Sequence, residues 1–498
     1  MDRDRVRVAL ERRVGIDERA LAAFRVALGC LLLVDLGHRA RSLVAFYTDD
    51  GALPRALLYE QYPLGRYSVH ALSGEAWAQA VLFGCAALLA AAVLVGYRTR
   101  AATALSALLL LSLHFRNPFV LNGADRLLRE LLVLAVFLPL GDRWAIGARG
   151  RADRAGRDAA TRTGSDALIA TPATAAVLVH VVVLFVGNAV LKTEGNTWYS
   201  GDALGYALRQ DGLTLPLGEA LTNYPLALTA GTYAWAGLVT GAPLLLLLTG
   251  RLRAAYAAGF LAAVTGMALS MAVGLFPAVL FAAVLLFLPP GVWDALERAG
   301  AVAVDRIGPL ERTATACRAG IERVTPPRSA GSSLPSAVRD RTRRYRSVAL
   351  VGVLAVVLLW SGLLLGATAG LEPADSRVPD DYQWAMFAPD PSATDGEFAA
   401  VGRVDGGTDI DVLRGSAVRT DSSPAADAAP DFRWRKYLYS LLEDDARAER
   451  FGVYACERAS AASGGPVETV TVTYTERRIA LEGEAPPPET VTVVERSC

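Results

Sequence analysis

Two stretches of this chain, AWAQAVLFGCAALLAAAVLVGY (76–97) and SVALVGVLAVVLLWSGLLLGATAG (347–370), run apolar for about the 20 residues a helix needs to cross a bilayer. Others like them recur along the first three quarters of the sequence. With a hydrophobic fraction of 53% and a positive mean hydropathy, the chain reads as one whose solvent is largely lipid. The expected fold is an all-α polytopic membrane bundle followed by a small C-terminal α+β domain outside the cytoplasm. About nine transmembrane helices are expected, at 19–41, 75–97, 101–117, 124–141, 171–192, 224–249, 253–273, 274–291 and 347–369. The charged N-terminus precedes a long first span without a small-residue cleavage site, the pattern of an uncleaved span.

Arginine sets the expected orientation. RTR (98–100), RWAIGARGRADRAGR (143–157), GRLR (250–253) and the Arg-rich segment 292–346 fall on one side, which the positive-inside rule makes cytoplasmic. Residues 1–18 are then a cytoplasmic N-terminus, 19–291 a membrane domain of about eight spans, 347–369 the final span and 370–498 an extracytoplasmic domain. That last region carries 24 Asp plus Glu against 13 Lys plus Arg, an acidic solvated surface with no call for nucleic acid. Within it, GEFAAVGRVDGGTDIDVLRG and VETVTVTYTERRIALEGEAPPPETVTVVERSC read as strands around turns. FRWRKYLYSLLEDDARAERFGVYACERA reads as helical, and a polar loop lies at about 415–430. Cys30 and Cys85 fall in spans as small packing residues, and Cys317 is cytoplasmic. Cys456 and Cys498 share the oxidising side, where a disulfide would tie the last strand to the helical segment. No CxxC or metal-ligand spacing occurs, so no metal is expected.

The topology gathers ionisable residues near one membrane face. The first span ends with Asp35 and Arg39 one turn apart, and the third ends with His114 and Arg116. The fourth begins with Asp125 over Arg129 and Arg126 over Glu130, and the fifth ends with Asn188 over Lys192. Ion pairing and snorkelling among headgroups account for any one of these. Arg129 and Glu130 continue about two turns into a span, however, and require partners inside the bundle. His180, farther in, reads as a hydrogen-bonded packing histidine. Lys192 stands out because only one other lysine, Lys436, occurs in a chain that uses arginine everywhere else. Arginine keeps its proton in proteins, whereas a desolvated lysine can act as a base. Around it, Arg39 and Arg129 would disfavour the ammonium, and Glu194 and Asp125 would favour it.

Four segments, FRVALGCLLLVDLGHRARSLVAFYTDDGALPR, HFRNPFVLNGADRLLRELLVLAVFLPLGD, LKTEGNTWYSGDALGYAL and QWAMFAPDPSATDGEF, together resemble the HTTM family. This horizontally transferred transmembrane domain is related to vitamin K-dependent gamma-carboxylase, and the likeness spans about residues 15–290. In that carboxylase a membrane-embedded lysine deprotonates vitamin K hydroquinone. The resulting base removes a γ-proton from a peptide glutamate, to which carbon dioxide adds. The resemblance places Lys192 at the position of that lysine, with Trp198 and Gly201 fixing the register, and implies Lys192 and Asp125 as catalytic positions. Asp35, Arg39, His114, Arg129, Glu130, Asn188 and Trp198 would surround them. The carboxylase has two adjacent lysines where this chain has one. Asp125 falls near a carboxylase histidine that stabilises the deprotonated glutamate, which an ionised aspartate cannot do.

The resemblance thus implies a carboxylase-like membrane protein with a polar pocket at the outer face. Its cofactor would be a reduced menaquinone or vitamin K-type quinol arriving from membrane lipid, and its partner an extracytoplasmic peptide or protein. The alternative is a non-enzymatic membrane protein that matures, exports or binds such a partner. A transporter is disfavoured, since no repeated pair of Gly/Pro-broken spans is evident.

Overall fold

The structure, a computed structural model, describes residues 3–146, 168–307, 386–418 and 429–498, with isolated helical positions at 352, 355 and 356. Helix α1 (Arg3–Val14) leads into strand β1 (Ile16–Asp17), which pairs antiparallel with β2 (Leu168–Ile169). The bundle follows: α2 (Glu18–Ala40), α3 (Ala76–Val95), α4 (Thr99–Arg116), α5 (Gly123–Ala135), α6 (Pro172–Lys192), α7 (Pro225–Thr240), α8 (Gly250–Ser270), α9 (Phe276–Leu285) and α10 (Pro290–Ile307).

Local chemistry sets the helix ends. Asp17 caps α2 by accepting from the Arg19 amide. The Arg19 guanidinium then donates to Asp17, Asp294 and Glu297, fastening the start of α2 to α10. Asn122 and Asp125 form a capping box on α5, and Thr171 with Thr174 forms one on α6, where Pro172 takes the first helical position. Helices α2 and α3 meet backbone to backbone at Gly29, where an added Cβ would lie 2.6 Å from the Leu94 Cα.

Four helices, α2, α3, α6 and α8, are long and apolar enough to cross a bilayer, and the pair α9 and α10, bent by 104°, adds a fifth. Several expected spans are shorter than the apolar runs suggest. The fourth is helical only from Gly123 to Ala135, and the sixth breaks after Thr240 before the short helix Leu244–Leu247. Pro243 sits in that break, and Pro289 and Pro290 mark the turn between α9 and α10; proline removes an amide donor and resists the helix interior. The stretches expected as the seventh and eighth spans are helical as α8 and α9, parted at Met271–Leu275, but α9, of 10 residues, is long enough to cross a bilayer only together with α10. The ninth, 347–369, lies outside the described residues apart from those isolated positions, as do Cys317 and most of 292–346. Cys30 and Cys85 are free and exposed, so they point out of the bundle and do not serve as packing residues.

After the bundle comes a five-stranded antiparallel sheet of β3 (Thr394–Val404), β4 (Ile410–Asp411), β5 (Ser416–Ala417), β6 (Val467–Arg478) and β7 (Glu489–Ser497), in the order β5-β4-β3-β6-β7. The stretch read as helical forms two helices, α11 (Phe432–Leu441) and α12 (Asp445–Ser463), because Asp444 caps a new start. Most of the expected polar loop, 419–428, lies outside the described residues. Cys456 of α12 and Cys498 after β7 are joined in a disulfide.

The sheet region is built onto the bundle. One core lies within the bundle, around Phe24, Leu131, Phe185 and Phe260. A second runs from Leu36, Phe46 and Tyr47 through Trp434, Tyr437 and Phe451 to Val470 and Val472 in the sheet. Gln61 donates to Asp444, Arg450 donates to the Asp49 and Gly51 carbonyls, and Tyr437 donates to the Ala52 carbonyl across the same junction.

Candidate functional site

Residues that the sequence placed in one polar group divide into two sites. The first is a buried ion cluster at the sheet-facing ends of α2, α4 and α5. Arg39 donates from Nε to Asp35 (2.8 Å), from Nη1 to the Tyr47 hydroxyl (2.7 Å), and from Nη2 to His114 Nε2 (3.2 Å) and Asp125 (2.5 Å). From the opposite side α11 inserts Arg433, which donates to Asp35, to both oxygens of Asp125 and to the Val120 carbonyl. Asp125 also accepts from the Asn122 amide, which closes its capping box.

Every charged member is at most 3% exposed. Two guanidinium groups therefore face two carboxylates in a dry setting, and the set balances. Because Arg39 donates to Nε2 of His114, the ring proton belongs on Nδ1, which has no hydrogen-bond partner among the described residues. Such a cluster is costly to desolvate and firm once assembled, since removing one member strands a buried charge. Its chemistry is that of a clamp.

Asp125 turns to the cluster and its own cap, so the expected Asp125–Arg129 pair does not form. Arg129 stands within electrostatic reach of His114 instead. The pair one residue along does form: Arg126 donates to Glu130 (2.9 Å), whose other oxygen lies 3.1 Å from His180 Nε2. Glu130 and His180 are thus each other's partners inside the bundle.

The second site is built on Lys192 at the C-terminal end of α6. Its Nζ donates to the carbonyls of Met386 and Phe387, both at 3.1 Å, and sits 3.8 Å from the centre of the Trp198 ring. Asn188, one turn back, donates to the same Met386 carbonyl, and the Trp198 indole N–H donates to that of Phe387. Asp390 completes the strap by accepting from the amides of Asn196 and Thr197 and from the Thr197 hydroxyl. Partial burial works against charge on Asp390. The bonds from Thr197 and Asn196 and the charge of Lys192 outweigh it, holding the carboxyl below its ordinary range.

Lys192 is 4% exposed, and the groups around it are two carbonyl oxygens and an aromatic face. Together they form a cradle for a cation. Among the described residues no hydrogen bond or ion pair joins Lys192 to Asp35, Arg39, Asp125 or Arg129. The carboxylate that reaches it is Asp390, in place of the expected Glu194 and Asp125. The sequence reading missed Arg433, Asp390 and the two carbonyls. Only the quoted QWAMFAPDPS pointed toward the strap, and nothing in FRWRKYLYSL marks Arg433 as buried.

Two surface cavities lie elsewhere. One, of about 350 Å³, opens between the end of α2 and α12, beside Arg41, Asp50, Trp434, Tyr454 and Glu457. The other, of about 290 Å³, lies between Leu208–Thr222 and the end of β6. Among the described residues no group of three or more His, Cys, Asp or Glu side chains is placed to hold a metal ion. No family model, curated protein or solved structure matches the chain.

Proposed function

We propose that this chain is a multi-pass membrane protein of the HTTM, gamma-carboxylase-like kind, with about nine spans. Its N-terminus is cytoplasmic and its sheet domain lies outside the membrane. Lys192 is its reactive group, an amine that takes a proton from a substrate at the outer face. The observation that carries this reading is the placement of Lys192. A chain that otherwise relies on arginine buries a lysine where an apolar helix ends, against an indole and under the Met386–Asp390 strap. With the strap seated, both carbonyls take up donors of the ammonium, which is the resting, protonated form. Displacement of Met386–Asp390 would remove those acceptors, and the ammonium would release a proton to water before the neutral amine takes one from the substrate, a role that arginine cannot fill.

With the strap seated, the carbonyls of Met386 and Phe387 hold two of the three ammonium donors, so a menaquinone or vitamin K-type quinol, which the resemblance implies, would reach Lys192 only once Met386–Asp390 is displaced, and no step is assigned to it. A second reading has its own support, because the same contacts make Lys192 an anchor. A non-enzymatic protein that binds or helps export an extracytoplasmic partner would use it to hold the sheet domain in place.

Replacement of Lys192 separates the two readings. Under the first, Lys192→Arg and Lys192→Ala both abolish the cellular phenotype of the gene, and mass spectrometry of lipid extracted from the purified protein finds bound quinone. Retention of wild-type function by Lys192→Arg, with loss only in Lys192→Ala, leaves the anchor. Orientation is checked with an impermeant thiol reagent, expected to label a cysteine placed at Ser392 and not one at Ser332 in intact cells.

A further inference from the structure

Among the described residues, strand β7 ends the sheet and pairs with no strand but β6. Nine residues of extended backbone therefore present an open edge, which pairs readily with another strand unless something prevents it. The pairing register of β7 shows which side chains share a face. Val494 and Arg496 stand opposite Val472 and Val470 and lie against Gly452 of α12. Val491 and Glu489 stand opposite Tyr474 and Glu476, and Tyr474 packs on Tyr439 of α11. The register shift between Val472 and Thr473 keeps all four on the helix-covered side even though their numbers change parity.

We propose that two copies of this chain pair antiparallel through β7. In the register that sets Glu489 opposite Arg496 of the second copy, Val491 falls opposite Val494, and each pair occurs twice by symmetry. All four residues are on the matching face, as a continuous sheet requires. Glu489 and Arg496 are exposed and have no ion pair among the described residues, and Val491 is 52% exposed. The edge is thus charge-complementary to itself, with an apolar contact between the two ion pairs.

The two-fold axis of this pairing runs through the sheet face. Helices α11 and α12 lie on one side of the sheet, toward the bundle, and exposed Thr490 and Thr492 lie on the other. Because that axis is perpendicular to the sheet, the helix-covered faces of both copies, and with them both bundles, lie on one side of the joined sheet.

The test uses the full chain in detergent, with mass photometry or native mass spectrometry over a concentration series. Wild type is expected to dimerise. Glu489→Arg or Arg496→Glu alone replaces two attractive cross-strand pairs with two repulsive ones and should raise the dimer dissociation constant about tenfold or more. The double variant E489R/R496E restores both pairs and should return the dimer. A monomeric wild type, single variants that dimerise unchanged, or a double variant that stays monomeric would each overturn the proposal. The membrane orientation can fail its labelling test without altering any of these outcomes.

Discussion

Arg433 in the first helix of the sheet region donates to the carboxylate of Asp35, 398 residues earlier in the chain, and both side chains are buried. Without Arg433, Asp35 and Asp125 would share the single guanidinium of Arg39. Arg433→Ala is therefore expected to cost about 3–5 kcal/mol, the usual penalty for stranding a buried charge. Arg433→Lys should recover little, since a point charge cannot serve both carboxylates and the Val120 carbonyl as the planar fork does. Thermal unfolding in detergent measures both. A loss below about 1 kcal/mol for Arg433→Ala would mean that the cluster is not a clamp.

His70 gives the fold a pH dependence. Its ring accepts or donates at Nδ1 to Ser112, while Nε2 is buried without a partner among the described residues. Burial, with the charges of Arg39 and Arg116, lowers its pKa from 6.5 to about 4. The unfolded chain then binds this proton more readily than the folded one between those values. Stability due to His70 is complete above pH 6.5 and falls steadily toward pH 4, by about 3 kcal/mol in all. His70→Gln should remove that slope from the difference between unfolding at pH 7 and pH 4.5. An unchanged slope would mean that other groups cause it.

At the Lys192 site, Asp390 holds the amides of Asn196 and Thr197. Asp390→Asn weakens charge-assisted bonds and should speed hydrogen exchange of those amides about tenfold at pH 7. In the wild type the strap is fully anchored above the ordinary aspartate value of 3.8 and loosens as pH falls through the lower value in the folded state. Equal exchange in the variant and wild type would show that the strap is held elsewhere.

Reduction of the disulfide between Cys456 and Cys498 releases a loop spanning 42 positions. Chain entropy assigns it about 4 kcal/mol. Cys498→Ser should therefore expose β7 and the end of β6 to exchange while leaving α2 and α6 protected. Uniform loss of protection would instead place the bond at the centre of global stability.

The sequence made the bundle legible through its apolar runs, yet it misjudged lengths where Pro243 and the Pro289–Pro290 pair interrupt them. Apolar character carries across such breaks, whereas helical hydrogen bonding does not. Asp35 with Arg39 and Arg126 with Glu130 could be read from spacing because each pair lies on one helix. The separation of Lys192 from that cluster could not be read, since helix ends at similar depth need not face one another. Arg433 and Asp390 lay beyond reach for a related reason: Asp390 acts 193 positions along the chain from Thr197 and Arg433 398 positions from Asp35, each on an element whose own sequence looks like ordinary surface.

Arg433 also bears on how the protein is made. A ribosome delivers α2, α4 and α5 long before α11, so Asp35, Arg39 and Asp125 must wait in the nascent bundle with one cation too few. Their end of the bundle stays hydrated or borrows a proton or counterion until the last quarter of the chain has been synthesised and has reached them. Maturation of the helical half is then timed by arrival of the C-terminal half, and a chain stalled before residue 433 is left marked as unfinished by its own uncompensated charge.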